Sequence, residues 1–389
     1  MNQRLRLLIV DDSALMRRTL RMIFESDPTI CVVGEAANGR EVLKLVPELR
    51  PDVITMDVRM PLMDGLETTE WLMAYHPTPI LVLTASLSSY DIDITFKMLG
   101  AGALDIVEKP RFTDPVALER IRHDLVRRVK LLARVRVVTH LRGKRRLEGG
   151  EFQIHSEQPQ RVAFEPRRVS TQQLPSNIEE TSRSVIPRRC ESQSKVQASI
   201  VVIGASTGGP RVVRQILAGL PSSFGAAILV VQHIAEGFSA GLVEWFASAC
   251  TLSVALASEG DKLSPGTVFV VPARHDLLVQ NDQRIHLNTL PVLLQRPSVD
   301  ITMQSVAEVY KSQAIGILLT GMGRDGAIGM QSIRRAGGYA IAQHEATCTI
   351  YGMPRAAIEL NAVDAVLSPE EIIPALQDRI RPVNGNGVV

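Results

Sequence analysis

The 389-residue sequence predicts two α/β domains, each a doubly wound parallel sheet, joined by a long linker. Three observations carry this expectation. Strand-length apolar runs alternate with helix-length amphipathic segments in two separate blocks, the rhythm of parallel sheets with right-handed crossovers. Between the blocks, from about Leu141 to Gln197, periodicity gives way to polar residues, prolines and charge. The length itself, at roughly 100–200 residues per domain, calls for two domains. The boundaries read as 1–138, a basic linker over 139–197, a second domain over 198–380 and a short Pro/Asn/Gly tail over 381–389.

In the first block the expected strands are Leu7 to Val10, Ile30 to Val33, Val53 to Met56, Ile80 to Leu83 and Ala103 to Val107, giving five βα units. Ser13 suits the cap of the first helix and Pro115 the start of the last. In the second block apolar runs recur at Ile200 to Ile203, Ala226 to Val231, Val268 to Val271, Ile315 to Leu319 and Tyr339 to Ala342. Helical patterns fall at Pro210 to Leu220, Ser239 to Cys250, Val299 to Tyr310 and Ala327 to Ala336.

Composition excludes several classes of function. Apolar residues form 45% and charged residues 22% of the chain, so sizeable cores are available and global disorder is not expected. The 43 basic and 41 acidic residues leave a net charge of +2, too little for a general field toward nucleic acid or anionic lipid. The linker holds eleven basic against seven acidic residues, a local +4 that includes Lys144-Arg145-Arg146, Arg167-Arg168 and Arg188-Arg189, and reads as solvated. Four dispersed cysteines, Cys31, Cys190, Cys250 and Cys348, suit free thiols in a reducing compartment. No apolar run approaches the ~18 residues of a membrane span, and Asp11-Asp12 interrupts any signal-peptide core, so a cytoplasmic protein is expected.

Ligands of a parallel α/β sheet bind beyond the carboxyl ends of its strands. In the first domain those ends carry Asp11 and Asp12, Asp57, Thr84 and Lys109. Three convergent carboxylates without an obvious cation repel one another, and a hard divalent cation such as Mg²⁺ relieves this. Lys109 then offers a point charge and Thr84 a hydroxyl to a phosphoryl group. Asp57, alone at its strand end, is the carboxylate placed to become an acyl phosphate. The segments Leu8 to Ser13 and Asp57 to Gly65, with Thr84 and Lys109-Pro110, resemble the response-regulator receiver domain, a flavodoxin-like fold. That resemblance implies phosphorylation of Asp57 by a histidine kinase and Mg²⁺ held by Asp11, Asp12, Asp57 and the Val58 carbonyl. Relay is implied through Thr84, with Lys109 as phosphate partner. Arg59 departs from the acid usual two residues after the phosphoacceptor in the methylesterase subset of receivers, setting a cation beside the metal site.

In the second domain the strand ending at Ile203 runs into Gly204-Ala205-Ser206-Thr207-Gly208, a strand-to-helix turn of the G-x-S-x-G kind that exposes a nucleophilic hydroxyl. The following helix N-terminus favours a developing oxyanion. His233 directly follows the strongly apolar strand Ala226 to Gln232, which sets it at the same sheet edge as a base; His275, His286 and His344 compete. Asp325, in the loop Thr320 to Gly326, can orient that base. The same loop satisfies G-x-G-x-x-G through Gly321, Gly323 and Gly326, with Glu345 as a ribose-binding acid. Against a dinucleotide site, only 68 residues follow Gly321 and Asp325 would face the pyrophosphate.

The segments Ile203 to Pro210, Gln232-His233, Arg296 to Asp300, Leu319 to Gly326 and Tyr351 to Ala356 resemble the catalytic domain of the chemotaxis protein-glutamate methylesterases, the CheB type, with a Rossmann-like sheet. The resemblance implies Ser206 as nucleophile, His233 as general base and acid, and Asp325 as orienting acid, with Thr207 at the site rim and the Met322 N–H at the oxyanion. It implies demethylation of glutamyl methyl esters and deamidation of selected glutamines on methyl-accepting chemotaxis receptors. Mg²⁺ is implied for phosphorylation and no cofactor for hydrolysis, in a monomer that binds no nucleic acid and inserts in no membrane. Ile234-Ala235 after the histidine and His344 before Glu345 depart from the family pattern at the rim. A DNA-binding regulator and a catalytically silent receptor-docking protein are the alternatives. The first lacks a recognition helix with a basic face, and the second would have lost the triad that is intact here.

Overall fold

A computed structural model of the chain describes residues 4–85, 89–110, 115–137, 199–289 and 296–382. The expected linker over 139–197, with Cys190 and its basic runs, and residues 383–389 of the expected tail lie outside the described residues.

The first sheet contains β1 (Leu5–Val10), β2 (Ile30–Ala36), β3 (Val53–Asp57), β4 (Ile80–Thr84) and β5 (Asp105–Glu108) in the order β2-β1-β3-β4-β5, all parallel. Helices α1 (Ala14–Glu25), α2 (Gly39–Leu49), α3 (Gly65–Tyr75), α4 (Ser89–Ala101) and α5 (Pro115–Leu132) are the crossovers. Local chemistry sets their starts: the Ser13, Asn38 and Asp64 side chains accept N–H bonds from the first turns of α1, α2 and α3. β3 and β4 are buried at every residue, hence the unbroken apolar runs. The direction of strand addition reverses between β1 and β3, so Asp11-Asp12 and Asp57 face each other across the switch point.

The second sheet has seven parallel strands in the order β14-β13-β12-β6-β7-β9-β8. Its centre is β6 (Ile200–Ala205), β7 (Ala227–Gln232) and β12 (Ala314–Leu318), with every residue buried. Flanking them are β8 (Ser253–Leu256), β9 (Thr267–Val270), β13 (Tyr339–Gln343) and β14 (Ala365–Leu367). Helices α6 (Gly209–Ala218), α7 (Ser239–Ala247), α8 (Val299–Tyr310), α9 (Ala327–Arg335), α10 (Met353–Glu359) and α11 (Pro369–Gln377) cover the faces. β10 (Asp276–Val279) and β11 (Ile285–Asn288) form a separate antiparallel hairpin. Here the switch point lies between β6 and β12, the strands that deliver Ser206 and the Asp325 loop.

The two sheets do not sit apart. α4 packs on α7, where a Cβ on Gly241 would come within 1.9 Å of Ile92, so only glycine permits this approach. Phe96 stacks on Trp245 with ring centroids 5.5 Å apart. Ile92, Phe96, Leu242 and Phe246 thus share one continuous apolar cluster. Among the described residues no helix is long and apolar enough to cross a membrane, and Cys31, Cys250 and Cys348 are free thiols.

Candidate active site and phosphoacceptor site

Register brings the three second-domain residues together. Ala205 pairs with Gln232, and the His233 N–H donates to the Ala205 carbonyl at 2.9 Å, so His233 stands level with the Ser206 turn. The Gln232 amide donates to the Ser206 carbonyl (2.9 Å) and the Ser206 N–H to the Thr320 carbonyl (3.1 Å), bracing the turn from both neighbouring strands. Gly321 makes close approach possible: a Cβ there would lie 2.7 Å from the Ser206 Cβ and 2.2 Å from the Met353 sulfur. Ser206 is 5% exposed, a hydroxyl at the floor of the site.

Asp325 is the most constrained member. Its Oδ1 accepts from the Ser298 hydroxyl (3.1 Å) and the Asp300 N–H (3.0 Å), its Oδ2 from the Val299 N–H (2.8 Å), and His233 Nε2 lies 2.8 Å from Oδ2. The first turn of α8 therefore cradles the carboxylate with donors and a favourable dipole. Burial works to raise this carboxyl, but the His233 contact and the α8 N–H groups outweigh it and hold it below the usual value. An ionised carboxylate on Nε2 favours the tautomer that carries the ring proton there.

The role of Ser298 and of the α8 N-terminus was not visible in sequence beyond the Arg296 to Asp300 segment. Asp300 itself accepts the Gly329 N–H at 2.7 Å and ties α8 to α9, which follows the Asp325 loop. Its carboxyl is pushed up to about 6, first by burial, against the Gly329 bond and with the charge of Asp325. The N–H groups of Thr207 and Met322 donate to no acceptor among the described residues. The rival histidines are engaged elsewhere: His275 Nδ1 contacts the Ala273 carbonyl (3.0 Å), His286 Nδ1 contacts Glu259 (3.0 Å), and His344 Nδ1 accepts the Ala346 N–H (3.2 Å).

In the first domain Asp11, Asp12 and Asp57 each bring a carboxylate oxygen within 4.8 Å of the others. One correction concerns charge. The acids looked unpaired in sequence, yet Lys109 Nζ lies 2.7 Å from Asp11 and 2.8 Å from Asp57, because β5 ends beside β4 and directs Lys109 back across the switch point. Burial pushes the Asp57 carboxyl up to about 6, Lys109 opposes this, and Asp11 adds to it. Lys109 is itself held above its ordinary value, since the two carboxylates outweigh its burial. One lysine against three acids leaves negative charge and hard oxygen donors, a set that fits a divalent cation. Thr84 is buried at the end of β4. Arg59, two residues after Asp57, bonds Asp91 of α4 through its guanidinium.

The two sites are linked. Asp105 of β5 accepts a hydrogen bond from the Thr207 hydroxyl at 2.8 Å, one residue from Ser206, and Arg128 of α5 bonds the same carboxylate. Arg128 also bonds Asp124 (2.7 Å), and these two acids outweigh its burial and hold its guanidinium protonated more firmly than usual.

Fold and sites together define a class, a response regulator whose receiver domain is docked on an α/β enzyme domain. A response regulator receiver model matches residues 7–121 and a CheB methylesterase model residues 201–376. The chain belongs to the protein-glutamate methylesterase/protein-glutamine glutaminase family. Its similarity to protein-glutamate methylesterase/protein-glutamine glutaminase 2 of Anaeromyxobacter dehalogenans is 40% identity over 378 residues, 97% of each chain. Enzyme 4 of that name from Geobacter metallireducens is 38% identical over 373 residues, 95% of this chain and 97% of its own. The crystal structure of the Thermotoga maritima CheB methylesterase catalytic domain is 39% identical, covering 46% of this chain and 98% of that one at a TM-score of 0.44.

Proposed function

We propose that the chain hydrolyses glutamyl methyl esters, and deamidates selected glutamines, on methyl-accepting chemotaxis receptors in the cytoplasm. The observation that carries this is the His233–Asp325 pair, 2.8 Å apart, set by backbone register beside Ser206. Ser206 Oγ attacks the ester carbonyl while His233 Nδ1 takes its proton. The new alkoxide oxygen is held by the N–H groups of Met322 and Thr207, which have no acceptor among the described residues. His233 returns the proton to the leaving methoxide, methanol departs, and a water activated by the same imidazole releases glutamate and restores Ser206. A glutamine side chain follows the same course with ammonia leaving, and hydrolysis needs no cofactor.

Regulation runs from residues 1–138 to residues 198–380. A histidine kinase donates phosphate to Asp57. Asp11, Asp12, Asp57 and the Val58 carbonyl would hold Mg²⁺, which when bound supplies charge neutralisation for the incoming phosphoryl group. Lys109 moves its ion pair from Asp57 to the phosphoryl oxygens, and Thr84 offers its hydroxyl. The docked state, with Asp105 on Thr207, restrains the site, and phosphorylation shifts the population away from it. The test is methanol release from a methylated receptor with and without a small phosphodonor. Ser206→Ala abolishes release, whereas Asp57→Asn keeps basal release and loses stimulation. Full release by Ser206→Ala, or equal stimulation of Asp57→Asn and wild type, would sink the reading.

A further inference from the structure

The proposed reaction leaves one opening unused. A cleft of about 580 Å³ lies between α5 and the loops at Met322–Gly323 and Ile350–Gly352. Met322, which lines the cleft, follows Gly321, and Gly321 abuts Ser206. Its charge is one-sided: Arg127, Lys130 and Arg134 line the opening beside His123, and no carboxylate is among the described residues that line it.

The described Arg and Lys side chains from Arg122 to Arg134 include both paired and unpaired cations. Arg122 pairs with Glu119, Arg128 with Asp105 and Asp124, and Lys130 with Asp27. Arg127 and Arg134 are exposed on the cleft side, and no carboxylate pairs with either among the described residues. Arg127 stands on α5 and Arg134 in the turn that follows it, and both line the same cleft. Two free cations beside low-dielectric walls set up a local positive potential that the chain's net +2 does not foretell.

We propose that this cleft docks an acidic segment of the substrate protein, with Arg127 and Arg134 gripping its carboxylates while the receiver is still docked. The inference rests on the proposed function and deepens it. Each ester hydrolysed and each glutamine deamidated leaves a glutamate, so a receptor segment in use presents free carboxylates beside its remaining esters. Apolar Val126, Leu131 and Ile350 along the cleft suit the hydrophobic stripe of a peptide helix. A nucleic acid strand would look for a platform of several stacked rings, and the described lining offers Tyr351 and the His123 imidazole but no Phe or Trp. The unphosphorylated protein is thereby held at its substrate before it is activated.

The test is fluorescence anisotropy of full-length, unphosphorylated protein with a labelled helical peptide carrying glutamates two turns apart, and with its glutamine counterpart. Wild type binds the glutamate peptide more tightly than the glutamine peptide, and this affinity falls as ionic strength rises. Arg127→Ala/Arg134→Ala, at unchanged melting temperature, binds about tenfold more weakly at low salt. Equal affinity of variant and wild type, equal binding of the two peptides, or tighter binding of a DNA duplex of matched length overturns the proposal. Methanol release from methylated receptor is measured separately on wild type. Its absence defeats the proposed reaction, and peptide binding without it leaves the cleft an acidic-peptide site on a protein of other activity.

Discussion

Replacing Asp325 by asparagine tests the frame on which the proposed catalysis hangs. The carboxylate serves two pairs of partners: Ser298 Oγ and the Asp300 N–H on one oxygen, the Val299 N–H and His233 Nε2 on the other. An asparagine has one acceptor oxygen. With that oxygen on the Ser298 side, its NH₂ confronts the Val299 N–H and donates to Nε2, which drives the ring proton to Nδ1 and abolishes the base. With the oxygen on the His233 side, the NH₂ confronts the Asp300 N–H and the negative charge opposite the imidazolium is gone. Either way one partly buried donor loses its acceptor, at about 1–3 kcal/mol, or a melting temperature lower by several degrees at roughly 2–4 °C per kcal/mol. The larger effect is on rate, with kcat for methanol release down about 10³–10⁴-fold. Steady-state methanol release and thermal unfolding on the same preparation measure both. A variant with kcat within tenfold of wild type would refute the orienting role of Asp325.

Asp105→Ala removes the carboxylate that accepts from Thr207 across the domain interface and from Arg128 within the receiver. Charged hydrogen bonds of about 1.5–3 kcal/mol translate into roughly a 10- to 150-fold gain in basal methanol release without phosphodonor, and unchanged basal release would count against the restraint. Gly321→Ala forces a Cβ to within 2.7 Å of the Ser206 Cβ. It lowers kcat about 100-fold through a small misplacement, and a fully active, folded variant would show the contact to be dispensable. Asp300 titrates at about 6 in the fold, above its ordinary 3.8. Its favourable contribution is therefore complete below about 3.8 and lost as pH rises through about 6. Screened at a partly exposed position, the cost above pH 6 is about 1 kcal/mol. Asp300→Asn, which keeps an acceptor for Gly329, therefore melts about 2–4 °C higher than wild type at pH 8 and equally at pH 4; a gain independent of pH would reject the titration.

The central strands were legible because burial on both faces makes their apolar runs continuous, and their polar ends announced the residues of both sites. β8 and β14 were not legible. They are sheet edges with partly exposed residues, so neither carries the unbroken run that marks β6 or β7. The β10–β11 hairpin was missed because it lies outside the main sheet, its two four-residue strands too short to give a clear period. Lys109 was read as a phosphate partner, but its double ion pair required knowing that β5 lies beside β4. The contact of Asp105 with Thr207 joins residues 102 positions apart in different domains, and nothing local in either segment signals it.

The stack of Phe96 on Trp245 gives the molecule an optical property. Of two tryptophans, Trp71 packs against Tyr75 and His76 within the receiver, while Trp245 spans the junction with the Arg214 guanidinium 4.9 Å from its ring centre. Separation of the domains removes the Phe96 ring and admits water to that indole alone, so its emission moves to longer wavelength while Trp71 stays constant. Each docking and undocking event is thus written into the intrinsic fluorescence of the unlabelled chain.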